Sequence, residues 1–227
     1  MADHPRSYTF FIRAVLFLSG LYCLWAVLDT QLHRFYIFQP APLQALVREA
    51  LDLYPGQSST SLQNVIDHIV LNLTETHGTK HINTNSKEWF FNNAGGAMGA
   101  MYVIHASVTE YMIIFGTPLG TEGHSGRHTA DDYFHILHGE QWAFEPGALE
   151  KEVYTPGMVH HLRRGSIKQY KMHEGCFALE YARGWIPLML PFGTADLLTS
   201  TLDLPTLWAM VWITAREMGR NLLAGKF

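Results

Sequence analysis

The sequence predicts an α+β fold in four parts. An N-terminal transmembrane helix leads into a helical segment, then an antiparallel β-barrel of jelly-roll type, then a C-terminal pair of membrane-associated helices. Three observations predict it. Residues 8–28 are almost wholly apolar. Residues 89–185 alternate short apolar runs with glycine and Pro-Gly punctuation, the pattern of short antiparallel strands. Residues 203–222 return to helical spacing behind Asp203 and Pro205, a cap and a first-turn proline. The expected boundaries are 1–30 for the anchor, 31–88 for the helical segment, 89–185 for the barrel with its ligand cavity, and 186–227 for the surface helices.

Composition supports contact with lipid. Charged residues make up 16% of the 227 and hydrophobic ones 48%, against a charged share of about 25% in soluble domains. Mean hydropathy is +0.00 and the pI is near 6.3. The net charge of −4 and the lack of a Lys/Arg-rich run argue against nucleic acid as a partner. Cys23 and Cys176 sit in apolar stretches and offer no disulfide framework.

In order along the chain, residues 8–28 span roughly 30 Å as a helix at about 1.5 Å per residue, one bilayer core. Arg6 and Arg13 lie at its start and Arg34 beyond its end. The charge bias favours a cytosolic N-terminus and a lumenal body. Asp29-Thr30-Gln31 makes a poor signal-peptide cleavage site. Asn72-Leu73-Thr74 is a glycosylation sequon in a stretch that reads as helix.

Residues 40–83 read as two amphipathic helices packing on the barrel. Leu43, Leu46, Val47, Ala50 and Leu51 share one face; Leu62, Val65, Ile66, Ile69, Val70 and Leu73 share another. Ser61 is the expected cap of the second. Residues 101–106 and 111–115 follow as buried strands. A Gly-rich polar loop spans 116–126. Then Asp131 and Asp132 enter a third apolar run ending at His138, and a later strand, residues 176–181, carries Glu180. The segments Tyr133-Phe-His-Ile-Leu-His-Gly-Glu and Pro156-Gly-Met-Val-His-His are similar to the strand–turn patterns of cupins, jelly rolls with a central cavity. Residues 187–222 are expected to form two helices on a membrane surface, with tryptophans near the headgroups. The same pair could close the barrel's mouth.

The acids carry the chemistry. Asp132, Phe134 and Ile136 share one strand face, and Asp131, Tyr133, His135 and Leu137 the other. The first set is the more apolar, which turns Asp132 inward. Glu180 shares a face with Ala178 and Ala182. Burial raises a carboxyl's pKa, and a second carboxyl nearby raises one of the two further. Such a pair holds one proton, which it can donate, and can stabilise a cation.

Histidines invite a metal hypothesis, through His124, His128, His135, His138, His160 and His161. Neighbouring strand residues face opposite ways, so His160 and His161 cannot both point inward, nor can His135 and His138. No metal and no cofactor are expected. The loop at 116–126 holds no G-x-G-x-x-G or Walker pattern, and no G-x-S-x-G elbow occurs.

The segments NNAGGAMGAM, HASVTEYMIIFGT, GTEGHSGRHTADDYFHILHG, EVYTPGMVHHL, FALEYARGWIP and MLPFGTADLLTSTLDL together resemble fungal C-8 sterol isomerases, the family that also holds the animal sigma-1 receptor. The resemblance covers residues 89–227 and, less strongly, the anchor. It implies an endoplasmic-reticulum membrane protein with a cupin-like barrel, two membrane-associated C-terminal helices and a tendency to trimerise. It implies that the residue matching Glu180 pairs with a ligand's cationic amine and that Tyr111 supports it. The receptor's second key aspartate falls opposite Phe134, so Asp132 is the substitute and Asp131 the reserve.

The resemblance also implies a reaction: moving a sterol double bond from C8=C9 to C7=C8 through a carbocation at C8. That needs a neutral carboxylic acid, a carboxylate and a dry cavity, but no cofactor. Tyr111, Phe115, Val103, Met98 and Leu190 are the expected sterol-contacting wall, with Phe134 and Glu110 in the same substrate-binding set. Expected partners are a sterol, cationic amphiphilic inhibitors and membrane lipid. Two alternatives stand beside it: a receptor or chaperone that binds cationic amphiphiles without turnover, and a metal-dependent cupin enzyme.

Overall fold

The structure, a computed structural model, describes residues 4–227, with side chains from Tyr8 onward. The Arg6 side chain used in the charge-bias reading lies outside the described residues. The chain divides into two units, Met1–Tyr36 and Ile37–Phe227. In the first, helix α1 (His4–Gln31) is followed by a 3-10 turn, Leu32–Phe35. By length and composition α1 can cross a membrane. Phe10, Phe11, Leu16 and Phe17 are exposed along it, as a lipid-facing helix requires.

The second unit is built on two antiparallel sheets. Its strands are β1 (Trp89–Ala94), β2 (Ala97–Ala106), β3 (Glu110–Thr117), β4 (Thr121–His124), β5 (Ala130–His138), β6 (Gln141–Phe144), β7 (Glu152–Tyr154), β8 (Val159–Leu162), β9 (Gln169–Met172) and β10 (Cys176–Gly184). The larger sheet runs β1-β2-β3-β10-β5-β8 and the smaller β4-β9-β6-β7. The expected barrel is therefore two facing ladders, with isolated links at the edge such as His124 N donating to Gly95 O. The loop expected at residues 116–126 is partly strand: β4 pairs with β9. Its Thr-Glu-Gly-His sequence has no apolar alternation, so only the partner strand reveals it.

Strands β2, β3, β5 and β10 are apolar on both faces because both faces are covered. On the outer face, Tyr102, Ile104, Met112, Ile114, Leu137, Leu179 and Tyr181 pack with α2 (Pro40–Leu53) and α3 (Ser59–His77). Leu43, Leu46, Val47 and Ala50 of α2, and Val65, Ile66, Ile69 and Leu73 of α3, are buried, as their spacing predicts. The cap of α3 is Ser58, whose side chain accepts from Ser61 N, rather than Ser61. Asn72 of the sequon lies within α3, half-buried.

On the inner face, Met101, Val103, Ile113, Phe115, Phe134, Ile136 and Ala178 meet Met172 and Tyr170 of the smaller sheet. The C-terminal helices close this side. They are α4 (Leu190–Asp196), a π-helical turn (Leu197–Thr201) and α5 (Leu204–Leu223). Asp203 caps α5 by accepting from Thr206 N. Met210 and Ile213 of α5 join the inner cluster, while Trp208 and Trp212 stack on each other, largely exposed. Glu217, near the end of α5, is fully buried and ion-paired with Arg216 and Arg220. Arg216 also forks onto Glu88 at 2.5 and 2.7 Å.

Candidate active site

The geometry starts from register. Glu180 of β10 stands opposite Phe134 of β5, and Ala182 stands opposite Asp132. Glu180 and Asp132 are therefore diagonal neighbours on one face, within side-chain reach of each other. That face is the inner one, and both acids line a cavity between the sheets and the C-terminal helices. Asp132 is 1% exposed. Glu180 is surrounded by protein, and what exposure it keeps is to the cavity's own space.

The rest of the cavity is largely apolar. Met101, Tyr111, Ile113 and Phe115 come from the larger sheet and Tyr170 from the smaller. Ile186, Met189, Leu190, Phe192 and Gly193 come from the segment leading into and through α4, and Met210 from α5. His124, Ser125 and His128 supply a polar rim from the loop after β4. His128 donates Nε2–H to Ser125 O at 2.6 Å and sets its ring against the edge of Phe192, 5.2 Å between centroids. Two glycines make room for that contact. A Cβ on Gly95 would lie 2.8 Å from the Phe192 ring, and one on Gly126 2.7 Å from the His128 ring; both have positive φ, +62° and +82°.

Burial dominates the electrostatics. It raises the carboxyl of Glu180 well above its usual value, and the charge of Asp132 and a hydrogen bond to it raise Glu180 further. Burial raises Asp132 too, but there it is opposed by His128, by the hydrogen bond from Glu180 and by the Tyr133 N–H. Two carboxyls that share a hydrogen bond in an apolar site hold one proton between them. Everything that favours an anion gathers on Asp132, so the proton rests on Glu180. The other oxygen of Asp132, Oδ1, has no hydrogen-bond partner among the described residues.

The structure brings together Glu180, Asp132, Tyr111, Phe115, Phe134 and Leu190 around the cavity. The other expected site residues lie elsewhere. Asp131 alternates to the outer face, where its Oδ1 accepts from His161 Nε2 at 3.0 Å and Arg164 N at 3.2 Å. Met98 is 47% exposed, because alternation along β2 turns it away from inward-facing Met101. Val103 faces inward but is fully buried in the core and does not reach the cavity. Glu110 is buried on the opposite side of the sheet, accepting from Ile37 N, Phe38 N and the Tyr181 hydroxyl, with Lys226 Nζ at 3.0 Å.

Tyr111 places its hydroxyl 3.2 Å from Thr214 Oγ1, tying the wall to α5. Burial raises its phenol, the Thr214 hydrogen bond opposes, and the charge of Glu180 raises it again. Tyr170 and His128 were not singled out from the sequence as cavity residues. The Tyr170 phenol is raised by burial and then by Glu180 and Asp132. Its only sequence signal is an aromatic between polar residues in a four-residue strand. Among the described residues no three His, Cys, Asp or Glu side chains converge as metal ligands. His160 is inside and His161 outside, as alternation requires.

Residues 15–226 match the family described as ERG2 and Sigma1 receptor like protein. The C-8 sterol isomerase erg2 of Aspergillus fumigatus is 58% identical over 212 residues, covering 93% of this chain and 87% of its own. Sigma non-opioid intracellular receptor 1 of Gallus gallus is 35% identical over 188 residues, covering 83% and 80%. Among solved structures, the Cnp3 cupin domain of Schizosaccharomyces pombe has a TM-score of 0.34 at 12% identity, covering 42% of this chain and 67% of that one.

Proposed function

The chain belongs to the family of ERG2 and Sigma1 receptor like proteins, and on that premise we propose that it is a C-8 sterol isomerase, moving the double bond of a sterol from C8=C9 to C7=C8. The observation that carries this is the pair of inner-face acids sharing a hydrogen bond, with the proton on Glu180. The neutral carboxyl of Glu180 gives its proton to C9, using the π electrons of C8=C9, and leaves a tertiary cation at C8. The cation lies beside two carboxylate groups in a water-poor cavity, where charge stabilisation is strongest. Asp132 then takes the proton from C7, and the electrons of that C–H bond form C7=C8. Transfer of the proton from Asp132 to Glu180 across their hydrogen bond restores the starting state.

The phenols of Tyr111 and Tyr170, raised as they are, stay protonated through this cycle. A lipophilic amine would place its ammonium where the C8 cation forms, which supports binding of cationic amphiphiles to the same site. An apolar α1 and the exposed tryptophans of α5 support a membrane location. We place the protein in the endoplasmic-reticulum membrane with its body lumenal, acting in ergosterol formation as a homo-oligomer. The 58% identity to a fungal isomerase, against 35% to a receptor, favours turnover over ligand binding alone.

Two experiments check this. Purified protein in detergent is expected to convert a Δ8-sterol to the Δ7-sterol. Absence of Δ7 product would overturn the assignment. Asp131→Asn is expected to keep turnover close to the parent's, because the side chain lies on the face away from the cavity and the amide keeps an acceptor for Arg164 N. A large loss there, measured by initial rates, would place Asp131 in the chemistry instead.

A further inference from the structure

A pair of acids that works with one proton has to be loaded with it, and these two acids are sealed from water. Asp132 is 1% exposed, and Glu180 faces only the cavity's own space. The phenols lining the cavity, Tyr111 and Tyr170, are raised by burial and keep their protons. Imidazole is the side chain that takes up and releases protons near neutral pH. Two imidazoles line the cavity, His124 and His128. His124 is exposed, and its Nδ1 accepts from Gly126 N at 2.8 Å. His128 is half-buried, so its ring belongs both to the cavity wall and to the surface.

Backbone groups fix the His128 ring. Nε2 lies 2.6 Å from Ser125 O. A carbonyl oxygen only accepts, so Nε2 carries a hydrogen, and Nδ1 is the nitrogen left to take up or release a proton. Gly165 N donates to His128 O at 3.0 Å, and the Phe192 edge holds the ring from the side of α4. His128 precedes Asp132 by four residues on the way into β5. Burial raises the Asp132 carboxyl; of the groups that oppose it, His128 comes first and His161 last. His161 lies across the sheet, paired with Asp131, so His128 is the imidazole that acts from the cavity side. Asp132 Oδ1 has no hydrogen-bond partner among the described residues, and a buried oxygen left so is costly. A buried water is held by two or more polar partners, and His128 Nδ1 and Asp132 Oδ1 are suited to be two of them.

We propose that His128 is the proton port of the site, passing protons between Asp132 Oδ1 and solvent through one water in the cavity. The port rests on the isomerase assignment and deepens it. Once Asp132 has taken the proton from C7, two routes lead onward. The proton crosses to Glu180, or it passes through the water to His128 Nδ1 and from the imidazolium to bulk solvent, and a solvent proton returns by the same path. The second route exchanges one O–H hydrogen for another and consumes nothing. The sterol leaves toward lipid, so product release does not itself wet the acids. His128 touches no reacting carbon; it is a positioning residue that acts through Asp132.

The test follows hydrogen rather than rate, on the purified full-length protein in detergent. A Δ8-sterol fully deuterated at C7 is turned over many times in ordinary water. The parent is expected to wash that label out and give a Δ7-sterol with ordinary hydrogen at C9. His128→Gln keeps a donor for Ser125 O but cannot carry a proton. Its product is expected to hold deuterium at C9 in most molecules, passed on from C7 of the sterol before. The mirror experiment, unlabelled sterol in deuterium oxide, should put deuterium at C9 with the parent and mostly ordinary hydrogen with the variant. Deuterium at C9 in the parent's product in ordinary water would overturn the port while leaving the isomerase assignment intact, and this arm needs no variant to fold. Equal washout by parent and variant would also overturn it. A variant that is merely slower gives exchange more time and moves the label the opposite way, so a structural role is told apart. No Δ7 product from the parent would overturn the isomerase assignment and the port with it.

Discussion

Glu180→Gln is expected to remove nearly all turnover without unfolding the protein. General acid catalysis alone is worth roughly 10²–10⁴ in rate. The same change removes a carboxyl from beside the C8 cation, so the combined loss in kcat exceeds that range. The stability effect has the opposite sign. Glu180 has a folded pKa well above its ordinary value because of burial and Asp132. The native state therefore binds this proton more tightly than the unfolded chain does. Stability from this group is full below the unfolded value of about 4.3 and is lost as pH rises toward the folded value. Glutamine has no such loss. The variant is expected to melt no lower than the parent at pH 7, with any advantage vanishing near pH 4. Thermal melts at the two pH values check this, beside initial rates. Asp132→Asn should also abolish turnover, and the double variant should lose far less than the two single losses combined if the carboxyls act as one unit. A Glu180→Gln protein that isomerises sterol at the parent rate would end the mechanism given above.

Glu110→Gln is expected to show the reverse profile, a loss of folded protein rather than of chemistry. Its carboxylate collects Ile37 N at 2.8 Å, Phe38 N at 3.0 Å and the Tyr181 hydroxyl at 2.6 Å. It also faces the Lys226 ammonium, which is 5% exposed. An amide cannot accept on both sides, and it leaves a buried ammonium without its anion. Breaking a buried pair by removing one partner costs about 3–5 kcal/mol, a large share of the 5–15 kcal/mol typical of a domain. Denaturant unfolding in detergent would read this directly. Adding Lys226→Met should recover part of the loss, because the stranded charge goes too. If the single variant unfolds at the parent's midpoint, the pair contributes specificity at most.

Helices α2 and α3 were legible because three- and four-residue spacing survives whatever packs on it. Glu180 and Asp132 were legible for a similar reason: period-two alternation assigns faces once a strand is recognised. Alternation also set Asp131 and Asp132, and His160 and His161, on opposite faces, and β8 shows that it is His160 that turns inward. The same rule applies to Met98, which β2 places opposite in parity to Met101, but the Gly- and Ala-rich stretch before Met101 carries no residue pattern that marks it as strand. The rule applies equally to Glu110: Tyr111, Ile113 and Phe115 share the cavity face of β3, so the neighbouring Glu110 belongs to the other face, where Ile37, Phe38 and Lys226 meet it. Tyr170 and His128 join segments far apart in the chain, and no local pattern announces such a meeting.

Strand β5 carries its two aspartates side by side, one in the cavity and one on the far face. A slip of one residue would exchange them, putting Asp131 beside Glu180 and throwing Phe134 out of the wall. What resists the slip lies on the outside. Tyr133 stacks on His161 at 4.2 Å with the rings nearly parallel, its hydroxyl accepts from Arg183 at 3.0 Å, and Asp131 accepts from Arg164 N. These contacts work as a detent, a notch that lets the strand rest in one position and not the next. The alignment of the proton pair is thus held from a surface the substrate never touches, so residues such as His161 can be under selection for catalysis without belonging to the site.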